Sequence, residues 1–318
     1  MHMADALLSP AVGVALSVAS GAVLAWSARR VQSSDQDYLV PLMGVLGAFV
    51  FAAQMINFTV PGTGSSGHIG GGLLLSILLG PHAAFVVIAS VLTVQALIFA
   101  DGGLLALGAN LFNLGVFPCF VGYLLLYRPL VGPKPLQATQ RKLGGATVLA
   151  AVIGLQLGAL GVVLETAASG ISDLRIGTFL LLMQPIHLAI GLVEGLATAS
   201  LVLFLRRARP DLFSPAEHNV ASSRASPGTS IRTLVLGIGA ATALTAGVMS
   251  WFASTRPDAL EWSLAQASES VNAAEHKPTE VWPTADATES LAGLLGAGAT
   301  LCLVAGVAYL LRRRRSTP

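Results

Sequence analysis

The chain has 318 residues, of which 54% are hydrophobic and only 11% charged, with a mean hydropathy of +0.73. A soluble domain carries about 25% charged residues, so this chain lacks the charge to solvate a 32.6 kDa globule. The net charge of +2 is small. The two cysteines, Cys119 and Cys302, lie in apolar runs, form no paired motif, and read as buried small hydrophobes.

In chain order the apolar runs are 9–28, 39–58, 69–80, 82–100, 104–127, 145–168 and 178–205, followed after a polar stretch by 233–253 and 291–311. No basic region precedes the first run, so no secretory signal is expected. Most runs reach the roughly 20 residues a helix needs to cross a bilayer. The run 69–80 is short and closed by Pro81. It reads as a thin, tilted span or as a broken helix packed inside the bundle. The 34 glycines suit the close helix approach that small residues allow in lipid.

Positive charge orients these spans. With the N-terminus outside, fifteen of the eighteen Lys and Arg residues fall in inside loops; only Arg175, Arg256 and Lys277 do not. That split requires the short third run to count as a crossing. It also explains the basic residues without nucleic acid. The expected fold is an all-α polytopic membrane bundle: seven transmembrane helices over 1–206, a cytoplasmic linker over 207–231, and a two-span hairpin over 232–318. The linker holds Pro210, Pro215, Ser222, Ser223, Ser226, Pro227 and Gly228, the composition of a flexible joint. The hairpin's outside loop covers about 254–289.

Six histidines are the first candidates for chemistry. His218 sits in the linker and His276 in the polar loop, where solvation explains them; His82 follows Pro81 at an inside junction. His187 lies in the seventh span, seven residues before Glu194 and on nearly the same face. Ionisable groups at membrane depth are functional hypotheses, although an interhelical contact with Asn110, Asn113 or Gln95 would also account for His187.

His2 and His68 are both expected on the outside. A chain beginning Met1-His2 offers the free α-amine, the deprotonated His2 backbone nitrogen and the His2 imidazole in one plane, with one position open. Four nitrogens in a square plane favour Ni(II) or Cu(II) over Zn(II). His68, in the Gly-rich turn 61–72, could supply the fourth if that loop folds over the N-terminus. A tight glycine-rich turn with no ligand role is the plainer alternative. No G-x-x-x-x-G-K-[ST], H-E-x-x-H, G-x-S-x-G or paired-cysteine motif occurs, so the chain has no P-loop.

At these positions the sequence resembles the nickel and cobalt substrate-binding components of energy-coupling-factor transporters, the CbiM/NikM family. The opening Met1-His2-Met3-Ala4-Asp5-Ala6-Leu7-Leu8 is similar to M-H-I-P-D-G-[FL]-L, with Ala4 and Ala6 in place of Pro and Gly. Met55-Ile56-Asn57-Phe58 through Gly67-His68 resembles M-x-N-F…G-T-S-G-H. The stretch from Gln95 through Asp101-Gly102-Gly103 to Asn110 and Asn113 resembles Q-A-L-x-F-x-D-G-G…G-A-N-x-x-N, and His187 to Glu194-Gly195 resembles H-x-x-x-G-x-x-E-G. In the tail, Pro257-Asp258-Ala259-Leu260-Glu261 is similar to the P-D-G-L-E signature of a small partner membrane protein, here fused, with Ala259 for Gly.

The resemblance implies a non-enzymatic transport subunit of the cell membrane. It would bind Ni(II) or Co(II) as cargo, without a cofactor, through Met1, His2 and His68. A transmembrane coupling subunit and cytoplasmic ATPase subunits would supply energy. Asn57, Gln95, Asn110 and Asn113 could support the ligands from behind. A reading from another class is a self-sufficient proton-coupled transporter using His187 and Glu194.

Overall fold

The computed structural model describes residues 2–33, 39–213, 231–268 and 287–313. Its long helices are α1 (Pro10–Gln32), α2 (Leu39–Gln54), α4 (Pro81–Ile98), α5 (Leu107–Val131), α6 (Gln140–Ser169), α7 (Ile176–Ala208), α8 (Ile231–Gly247) and α10 (Ala287–Arg313). Two short helices, α3 (Gly72–Leu79) and α9 (Ala259–Ala267), and a hairpin of β1 (Phe58–Thr59) and β2 (Ser66–Gly67) complete it. Each apolar run of the sequence therefore contains one helix. Six are long and apolar enough to cross a membrane, while α2 and α8 are shorter.

Local chemistry sets the helix ends. Ser9 caps α1 by accepting the Val12 N–H, with Pro10 in the first turn, and Thr139 caps α6 by accepting the Lys142 N–H. Gly71 and Gly80, at φ of +76° and +80°, bound α3 on both sides, and Pro81 opens α4. The run 69–80 thus contributes an eight-residue helix, about 12 Å long. That is too short to cross a bilayer alone, but the chain passes here from the 55–71 loop at one end of the bundle to His82 at the other, with Gly72 through Leu78 of α3 buried. Leu73 and Leu75 are wholly enclosed.

Small residues carry the helix crossings. A Cβ on Gly108 would strike the Ser17 backbone, and the Ser20 hydroxyl donates to the Gly108 carbonyl at 2.7 Å, joining α1 to α5. Gly191 and Gly195 of α7 lie against the Cα atoms of Val152 and Val148 in α6. Within α5, Phe112–Tyr127 winds as a π-helix containing Pro118, whose ring rests on Gly72 and Gly154. The tail helices α8 and α10 pack on α2, where Gly44 meets Ala305 and Gly47 meets Val304. Exposed apolar side chains such as Val18, Leu181 and Leu196 fit a lipid-facing surface.

Loops gather at two ends of the bundle. At one end Trp26 and Ser27 meet His82, and Arg206 donates to the Ala138 carbonyl at 2.6 Å. At the other lie the N-terminal segment, the 55–71 loop, the 100–106 turn and residues 254–268 of the tail. Cys119 is buried as expected; Cys302 is not, because it lies on an exposed face of α10.

Candidate metal centre

The N-terminal segment is pinned by its own backbone. Met3 is fully buried, its N–H donates to Asn110 Oδ1 at 2.7 Å, and its carbonyl accepts from Asn110 Nδ2 at 3.2 Å and from the Gly103 N–H at 2.9 Å. Asp5 Oδ1 accepts the Ala106 N–H at 2.9 Å. Gly103 must be glycine, since a Cβ there would collide with the Asp5 carboxyl and stand 2.5 Å from the Asp5 nitrogen. These contacts fix where His2 emerges.

His2 meets two partners. Its ring stacks on His68, with centroids 5.1 Å apart and planes 18° from parallel. Its Nδ1 lies 2.9 Å from Asp101 Oδ1, with the His2 side chain 5% exposed and Asp101 45%. Burial alone would raise the Asp101 carboxyl, but the His2 hydrogen bond, with the charges of His2 and His68, holds it at about 2. The ionised carboxylate can only accept, so His2 Nδ1 donates, and His2 Nε2 is buried without a hydrogen-bond partner among the described residues. Asp101 is aimed by a tight turn in which Ala100 takes a φ of +53° and Gly102 one of +88°.

The His68 loop is clamped from beneath. Glu194 Oε2 accepts the Gly70 N–H at 2.8 Å and Oε1 the Gly71 N–H at 3.0 Å. The Gly70 carbonyl accepts from Gln54 Nε2 at 2.7 Å, and Gln54 Oε1 from Gln95 Nε2 at 2.9 Å. The Gln95 carbonyl in turn accepts the Asp101 N–H at 3.0 Å. One buried network therefore supports both His68 and the carboxylate that holds His2. His68 Nδ1 donates to the Ile69 carbonyl at 3.0 Å, placing the lone pair on Nε2. Burial, then the positive charges of the chain's N-terminus and of His2, lower the His68 pKa to about 3, so its imidazole is neutral near pH 7.

The fused tail closes the other side. Residues 254–268 run across the loop as a strap. The Ser254 N–H donates to the Asn57 carbonyl at 2.7 Å, and the Ser66 N–H and hydroxyl donate to the Pro257 and Arg256 carbonyls, each at 2.8 Å. Arg256 Nη1 donates to the Thr63 carbonyl at 3.2 Å. Asp258 then starts α9 with a capping box, accepting the Glu261 N–H at 2.7 Å while Glu261 accepts the Asp258 N–H. Ala259, Leu260, Ser263 and Ala267 are buried, and Trp262 covers Gly64. Sequence alone did not reveal this contact, nor the parts played by Asp101, Gln54 and Glu194.

The remaining expectations divide. Asn110 pins the Met3 backbone, and Gln95 bonds Gln54 beneath the His68 loop. Asn113 instead donates to Glu165 at 2.7 Å, and Asn57 serves the strap through its carbonyl. His187 does not pair with Asn110, Asn113 or Gln95: its Nδ1 donates to the Met183 carbonyl at 2.8 Å. His82 packs beside Trp26 at the opposite end. Met1, His218 and His276 lie outside the described residues. Among the described residues no group of three or more His, Cys, Asp or Glu side chains is placed to hold a metal. A cation at this end would rely on the two imidazoles with backbone nitrogen.

A helical membrane bundle with two stacked histidines beneath a fused strap defines a class: a multi-pass membrane component of metal transport. The chain belongs to the CbiM family, cobalt uptake substrate-specific transmembrane region, which matches residues 2–212, and a PDGLE domain follows at 232–283. It is 37% identical over 228 residues to a putative fused nickel transport protein NikMN of Archaeoglobus fulgidus, covering 72% of this chain and 70% of that one. A putative metal transport protein of Haloquadratum walsbyi is 36% identical over 214 residues, 67% of this chain and 93% of its own. A crystal structure described as a truncated transition metal transporter shares 30% identity with a TM-score of 0.57, covering 65% of this chain and 99% of that one.

Proposed function

We propose that this chain is the substrate-capturing subunit of an energy-coupling-factor transporter that takes up Ni(II), with Co(II) as the alternative cargo. The observation that carries the reading is the stacking of His2 on His68 at the end of a backbone-pinned N-terminus. In this reading the Met1 α-amine, the His2 amide nitrogen, His2 Nδ1 and His68 Nε2 form a planar set of four nitrogens. Ring closure through the His2 amide requires Nδ1, so the metal replaces the proton that Nδ1 now donates to Asp101. The Asp101 carboxylate favours a cation at that atom in either state.

Positive-inside bias assigns the end with Arg29, Arg30, Arg128 and Arg206 to the cytoplasm and the metal centre to the outside. Residues 1–206 form the capturing domain and the tail supplies a cover for it. The sequence lacks a P-loop, so ATP hydrolysis falls to separate subunits, coupled through a transmembrane partner. A planar four-nitrogen set leans to nickel, and a fused NikMN among the relatives leans the same way.

The test uses protein with a native N-terminus, verified by intact mass. His2→Ala and His68→Ala are each expected to abolish tight nickel binding in chelator competition while the protein remains folded. Wild-type affinity in both variants would overturn the reading. Uptake by the chain alone in proteoliposomes, driven by a pH gradient, would favour the proton-coupled alternative.

A further inference from the structure

Directly beneath His68 is a second imidazole that the outer nitrogen set does not use. His187 of α7 is 1% exposed, and because its Nδ1 donates to the Met183 carbonyl, its lone pair is on Nε2. That atom has no hydrogen-bond partner. Burying an acceptor that no protein group satisfies is unfavourable, and a cation bound at that atom would satisfy it. His187 and His68 line one cavity of about 10 Å³, closed by Gly67, Gly70, Ile190 and Ala259 of the strap. The void holds about one water or one small ion. Its remaining walls, Leu114 and Leu155, are apolar, so the imidazoles supply the available nitrogen donors.

We propose that this cavity is an inner station for the transported divalent cation, with His187 Nε2 as its second imidazole ligand. The inference rests on the outer-site reading above. His68 is common to both positions: it is stacked on His2 on one side and lines the cavity with His187 on the other. Passage of the ion from the planar set to the cavity turns the His68 ring, so that its single Nε2 lone pair follows the ion while the N-terminal nitrogens are exchanged for His187 Nε2 and water fills the coordination sphere. Imidazole suits nickel, cobalt and zinc, whereas magnesium and calcium require oxygen. The station thus adds a filter on the inward side of the capture site.

The experiment uses full-length protein with its native N-terminus, titrated with nickel(II) chloride, and uptake by cells expressing the complete transporter. Wild type is expected to bind one ion in a diamagnetic planar form. His187→Gln should keep that affinity within about threefold but lower the initial uptake rate about tenfold. Leu155→Phe, which fills the cavity while leaving both imidazoles in the chain, should do the same. His2→Ala should bind nickel at least about 100-fold more weakly and in a paramagnetic form, and His2→Ala/His187→Gln should lose that residual binding. Wild-type uptake by both cavity variants, or equal residual binding with and without His187, would overturn the proposal. Absence of tight nickel binding in the wild type would instead refute the outer set. The paramagnetic, His187-dependent binding would still decide the inner one.

Discussion

Replacing Glu194 with alanine should loosen the His68 loop without removing any of the proposed metal ligands. Both carboxyl oxygens are occupied, one by the Gly70 N–H at 2.8 Å and one by the Gly71 N–H at 3.0 Å, and the side chain is 2% exposed. Truncation removes two acceptors from two buried donors that water does not reach. Each unsatisfied amide costs about 1–3 kcal/mol, or about 2–6 kcal/mol together. The loop can escape part of this by moving, which displaces His68 two residues away. If half of a mid-range 4 kcal/mol is spent on restoring the loop during metal capture, nickel affinity falls about 30-fold, at 1.4 kcal/mol per decade. Chelator competition reads the affinity, and amide hydrogen exchange reads the protection of Gly70 and Gly71. Glu194→Gln keeps one acceptor oxygen and should fall between wild type and Glu194→Ala. Wild-type affinity and unchanged protection in Glu194→Ala would refute the clamp.

Asp101→Asn should weaken nickel binding about 10- to 100-fold, the usual effect of removing a partner behind a ligand, whereas a change under twofold in chelator competition would show that Asp101 does not act on His2. Gly103→Ala should release the N-terminal segment, because its Cβ would lie 2.5 Å from the Asp5 nitrogen; the expected result is loss of tight binding and fast exchange of the Met3 amide. A one-residue extension before Met1 should move histidine to the third position and decouple His68 from the metal, and normal uptake by an extended chain of verified mass would exclude the α-amine as a ligand. Truncation after Pro210 should leave a folded, nickel-binding bundle with a more accessible His68 loop. Loss of binding by a stable truncated chain would mean that the tail supplies ligands.

The membrane architecture was legible because lipid leaves few options: long apolar runs must be helical, and basic residues mark one face. The third run was ambiguous, since its glycines at 71 and 80 shorten the helix at both ends by adopting left-handed geometry that hydropathy does not register. The meeting of His2 with His68 was legible through chelate chemistry and motif resemblance. Asp101, 99 residues from His2, and Glu194, 124 residues from Gly70, were not, because their roles exist only once α5 and α7 have packed. Cys302 read as buried from its apolar neighbours, yet in a membrane bundle an apolar run has a face outside the packed core, and Cys302 lies on it.

The strap is held over the His68 loop by backbone and side-chain hydrogen bonds and by the buried face of α9. Between separate chains such a contact would be occupied in proportion to the partner's abundance. Because strap and loop belong to one polypeptide, reclosure is intramolecular, with an effective concentration on the order of millimolar for a short tether. The covered state is then independent of expression level, and every copy carries its own cover in fixed one-to-one ratio. Any release of the strap from the loop is then a property of the single chain and does not depend on how often a second protein arrives.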